Sequence, residues 1–126
     1  MRVHWDRRFQ IWQYTVSHSG LLLRSFHPSE YESRVDIFFA SVGLMMVKPS
    51  YAPLEITTLP HDAALEFLDE RKMHVTEWRG DLFVLNDGEG YVQAAACEWH
   101  EDRGDHHTPS KFGPLRADYL IHVSIW

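Results

Sequence analysis

Arg34-Val35-Asp36-Ile37-Phe38-Phe39-Ala40-Ser41-Val42-Gly43-Leu44-Met45-Met46-Val47 is the stretch on which the fold reading turns. Val35, Ile37 and Phe39 alternate with Asp36 and Phe38, the period-two pattern of an extended strand with one buried face. Gly43 interrupts the run, and a glycine inside a strand pattern marks a bend or bulge because it supplies no side chain to pack. Two strand halves joined by a bend are expected.

The flanking segments carry the same signal. Residues 9–18 are dense in aromatic and β-branched side chains, with Trp12, Tyr14 and Val16 on one face if the segment is extended. Ser19-Gly20 is a turn dipeptide and an apolar run at 21–26 follows, so a hairpin is expected. Residues 27–33 mix proline, serine and charge as a surface loop does, and Pro49 and Pro53 bracket another loop before a short strand at 54–58. Further strands are expected at 75–78, 82–85, 91–99 and 119–126, with Asp87-Gly88 as the turn between the second and third of these and an exposed loop over 100–114.

One helix is expected, near 62–72. Asp62 stands where it could cap the first N–H groups, Ala64, Leu65 and Leu68 form an apolar stripe, and Arg71 and Lys72 lie at the negative end. Ala94, Ala95 and Ala96 are small for a strand and allow a close approach, so the helix is placed against them.

About eight strands and one helix make this mainly β, with α+β left open. The expectation is a single domain over 1–126, built as a curved antiparallel sheet, a barrel or a sandwich. A doubly wound α/β fold is set aside, because it needs several helices alternating with parallel strands.

Composition bounds the function. With 126 residues, 44% hydrophobic and 24% charged, the chain has enough apolar surface to fold. Cys97 is its single cysteine, which rules out an intramolecular disulfide or a four-cysteine zinc site. The net charge of −6 repels a phosphate backbone, so no nucleic-acid partner is expected. The acidity is concentrated: residues 54–107 hold thirteen acidic and four basic side chains. No apolar stretch reaches the roughly 20 residues that span a bilayer, and the charged opening segment lacks the core of a secretory signal. A cytoplasmic protein with no membrane association is expected.

The densest run of potential ligands is 97–107. A site for a divalent transition metal could draw on His100, Glu101, His106 and His107, joined by His122 from the last strand. The same composition describes a solvated polar loop, the spacing matches no established signature, and no cofactor is otherwise expected. Cys97 and His100 point to opposite sides of an extended strand, and neither they nor Ser17 and His18 sit in a recognisable nucleophile context.

The aromatic inventory points elsewhere. Five Trp and five Tyr are residue types that concentrate in interfaces, and Trp5 and Trp126 are the tryptophans expected to be exposed or to touch a partner. The leading reading is a small acidic binding protein, of accessory, regulatory or immunity type, that engages a protein partner or a second copy of itself, and not an enzyme. The alternative is a metal- or small-ligand-binding β-barrel protein, possible as an enzyme, with its site in 97–107. A carrier of apolar ligands with Phe38, Met45, Met46 and Trp99 lining a barrel interior is a third.

Overall fold

The computed structural model describes residues 1–104 and 110–112, together with the backbone of 120–122. The chain is mainly β, and its strands form two antiparallel sheets. In the first, β1 (Arg2–Trp5), β7 (Leu54–Leu59), β8 (Asp81–Leu85), β9 (Gly90–Ala94) and β5 (Leu44–Met46) lie side by side in that order. In the second the order is β10 (Ala96–Asp102), β4 (Arg34–Ala40), β3 (Gly20–Ser25), β2 (Phe9–Thr15) and β11 (Leu120–His122), with β6 (Ser50–Tyr51) also pairing with β2.

Among the described residues the chain changes sheet five times. It passes from β1 to β2, from β4 to β5 through Ser41–Gly43, from β5 out to the short β6 and back to β7, and from β9 to β10 at Ala95. The expected bend at Gly43 is therefore a change of sheet. The expected single strand at 91–99 is two strands in different sheets, and β10 runs on to Asp102 into what the sequence suggested was loop.

Alternation builds the core between the sheets. Phe9, Leu21, Leu23, Val35, Ile37 and Phe39 face Leu54, Ile56, Phe83, Leu85, Val92 and Ala94. Phe39 and Phe83 meet edge to face across it at 5.7 Å, a favoured aromatic geometry. Trp12 departs from the expected face: a register shift between Ile11 and Gln13 turns it under Arg24, while Ile11 and Tyr14 stay on the core and Val16 is exposed. One extra residue in a bulge is enough to reverse the facing of a side chain.

The helix α1 (His61–Glu70) lies on the other face of the first sheet. Ala64 and Leu68, with Phe67 partly buried, pack on Leu82, Val84 and Tyr91. Leu65 is 48% exposed and is not part of the stripe. Ala94 faces the core between the sheets, so the helix does not rest on the alanines. Asp62 sits in the first turn without capping it, and Arg71 closes the far end by donating from its side chain to the Phe67 carbonyl at 2.9 Å.

No strand forms at 75–78. Val75 and Trp78 pack beside the helix instead, with Trp78 donating to the Gly80 carbonyl at 3.0 Å and meeting His61 edge to face. Conversely, Arg2–Trp5 forms a strand where only a charged arm was expected: Val3 and Trp5 reach the core margin while Arg2 reaches Glu55 across the ladder.

Candidate functional site

Strand β10 carries Cys97, His100 and Glu101 of the residues singled out for chemistry, and the period of two along a strand sorts them. Glu98, His100 and Asp102 face outward, away from the sandwich core. Cys97 and Trp99 face the core margin, and Glu101 shares their side. Ser33 donates to the Glu101 carboxylate, which also lies 3.7 Å from the Arg7 guanidinium. His100 and Glu101 therefore diverge.

The outward face of the second sheet is a row of charges across neighbouring strands. Arg24 donates to both oxygens of Asp36, at 2.7 and 3.0 Å, and both side chains are buried. Asp36 stands opposite His100, whose Nε2 lies 3.8 Å from Asp102 Oδ2. Arg34, fully enclosed, holds Asp102 with two bonds of 2.9 and 2.8 Å. That guanidinium keeps the Asp102 carboxyl below the usual carboxylate range, aided by the Gly104 N–H. Phe38 on the same face stacks with Phe112 at 5.6 Å.

Of the other ligands considered, His106 and His107 lie outside the described residues, as does Trp126. His122 stands opposite Gln13 in β11, at the far edge of the sheet from β10. Four strand spacings of about 4.8 Å separate the two edges, roughly 19 Å along the sheet, whereas ligands of one metal ion lie within a few ångströms of each other. Among the described residues no group of three His, Cys, Asp or Glu side chains is placed to hold a metal.

Burial pushes the Cys97 thiol up to about 12, with the neighbouring Glu98 carboxylate adding to the effect. A thiol so raised supplies almost no thiolate nucleophile near neutral pH. Alkylation of Cys97 by iodoacetamide at pH 8 is expected to run at least about tenfold slower in the folded protein than in urea. Equal rates, measured by mass spectrometry, would contradict the burial of this thiol.

Tryptophan marks the margin of the sandwich. Trp99 is 39% exposed on the edge strand β10, and its ring meets Trp5 edge to face at 5.6 Å. Trp5 in turn meets Phe9 of the core at the same distance, 5.6 Å. Trp5, expected to be exposed, is thus the partly buried support, and Trp99, which was not among the tryptophans expected to be exposed, is the presented side chain. The signal available was its setting among Glu98, His100, Glu101 and Asp102, too polar for a strand buried on both faces.

A cleft of about 680 Å³ lies at one end of the sandwich, between the β2–β3 turn, the Ser41–Gly43 corner and the loop at 74–79. His18, His74, Glu77 and Arg79 line it, with Gln93 buried at its floor and donating to the Arg79 carbonyl. Phe38, Met45, Met46 and Trp99 do not share an interior: Phe38 lies on the outer face of the second sheet, while both methionines and Trp99 are exposed.

Comparison with protein-family models, characterised proteins and solved structures matches none of them. The functional reading rests on the geometry.

Proposed function

We propose that this chain is a binding protein that engages a protein partner along strand β10, with Trp99 as the anchoring side chain and Trp5 as its support. The observation that carries the reading is an indole left 39% exposed on the edge strand of a sheet. Tryptophan is among the residues that dominate binding energy when a partner seals them from water. An edge strand also offers its outward N–H and C=O groups to an added strand, so affinity and register come from the same element. Glu98 and Glu101 are exposed on this strand, which favours a partner presenting cationic or hydrogen-bond-donating side chains. Among the described residues no helix is long and apolar enough to cross a membrane.

The reading is tested with a photoreactive phenylalanine analogue in place of Trp99 in the full chain, expressed in cells and irradiated. Cross-links from this position to another polypeptide are expected, and none from the same analogue at Glu66, which is exposed on the helix. Absence of cross-links at position 99, or equal capture from both positions, would overturn it.

A further inference from the structure

Among the described residues the four sheet edges are not alike. β1, β5 and β11 have four, three and three residues, and short edges are one way proteins avoid unwanted strand pairing. β10 has seven residues and pairs with β4 without a register shift. It contains no proline, lysine or bulge; the charges it carries, Glu98, Glu101 and Asp102, are the device left to it, and they restrict pairing to a strand that keeps these carboxylates apart.

Resting on the reading of β10 as a protein-binding edge, we infer that its partner is a second copy of this chain, the two β10 strands pairing antiparallel about a two-fold axis at Trp99. In such a pair, residues directly opposite one another share a face of the sheet, so the axis must pass beside a residue and only a few registers exist. An axis at Glu98 sets two Glu98 carboxylates against each other. An axis at His100 sets Glu98 against Asp102, and like charges directly opposite are destabilising. An axis at Cys97 leaves His100, Glu101 and Asp102 unpaired.

With the axis at Trp99 the whole strand pairs. Ala96 faces Asp102 of the partner subunit, Cys97 faces Glu101 of the partner subunit, and Glu98 faces His100 of the partner subunit, while the two Trp99 positions meet at the centre. No carboxylates are directly opposite. The Glu98 carboxylate, which has no hydrogen-bond partner among the described residues, gains an imidazole N–H in each copy by symmetry. The same pairing joins the two copies of the second sheet into one continuous sheet and turns this long edge inward.

The test is native mass spectrometry and sedimentation equilibrium of the untagged full chain across the micromolar range. A dimer is expected. Glu98→Lys, which sets a cation against His100 of the partner subunit at two symmetric positions, should weaken it about tenfold. Glu66→Lys makes the same charge change on the helix and should leave it within about twofold. A wild-type chain that stays monomeric overturns the self-pairing, and if position 99 still cross-links to a different polypeptide the binding reading stands without it. A dimer that tolerates Glu98→Lys as well as Glu66→Lys places its interface elsewhere and also overturns the inference.

Discussion

Replacing Asp36 with alanine is expected to destabilise the protein by about 3–5 kcal/mol, because it leaves the buried Arg24 guanidinium without its counter-ion. Arg24 is enclosed by the sheet and by Trp12, whose ring lies 4.7 Å from the guanidinium carbon, so water cannot readily take the place of the carboxylate. For a domain of this size the loss corresponds to a fall in Tm of more than about 10 °C. Removing both charges should be far milder. An Arg24→Met, Asp36→Leu double variant substitutes apolar groups of comparable length and is expected to recover most of the stability, since the desolvation penalty of the pair disappears with the pair. Urea unfolding of the wild type, the single variant and the double variant gives the comparison. A single-variant loss under about 1 kcal/mol would mean that the pair is open to solvent after all.

Gly80→Ala is expected to cost about 2–6 kcal/mol, the sum of two effects of about 1–3 kcal/mol each. Gly80 has φ +74°, a conformation that L side chains rarely adopt, and a Cβ there would collide with the Ala94 carbonyl oxygen and lie 2.6 Å from Ala95 Cα. Both obstacles are backbone at the corner where β9 becomes β10, so relief requires the junction of the two sheets to move. Gly88 is the control. It also has positive φ, at +108°, but a Cβ there meets only the end of the flexible Arg71 side chain, 3.2 Å away. Gly88→Ala should therefore lose only the conformational part, about 1–3 kcal/mol, without the added cost of the collision. Equal losses for the two variants, measured by urea unfolding, would show that the corner is soft.

The small residues at 94–96 suggested a close approach of the helix. A close approach exists there, but it joins the backbone of Ala94 and Ala95 to Gly80, whose missing side chain makes the room. Sequence pattern registers that space is needed at a position. It does not say which distant segment fills it, because that is settled by the path of the chain through both sheets.

Local chemistry was legible wherever it acts through neighbours in the chain. Alternation at 34–40 and 54–59, the turns at Ser19-Gly20 and Asp87-Gly88, and the helix over the sixties all follow from period and turn preference, and the mainly β fold follows with them. The failures share one cause. Trp12 changed face through a one-residue bulge, residues 91–102 divided between sheets at Ala95, and 75–78 packed beside the helix instead of joining a ladder. Each depends on hydrogen bonds and contacts with segments remote in sequence, which propensity does not encode.

The candidate site divides the same way. By itself the sequence determined that the ligand-rich run around His100 is polar and that tryptophan is abundant, since both are matters of composition. It also determined that Cys97 and His100 diverge, because strand geometry dictates it. Only the tertiary structure decided that His122 lies at the opposite edge of the sheet from His100 and that Glu101 turns to Ser33 and Arg7. It also decided that Trp99, and not Trp5, is the more exposed of the pair. The physical reason is strand order: which strand stands at an edge is set by how the whole chain pairs, and exposure at an edge is what separates a core tryptophan from one presented to a partner.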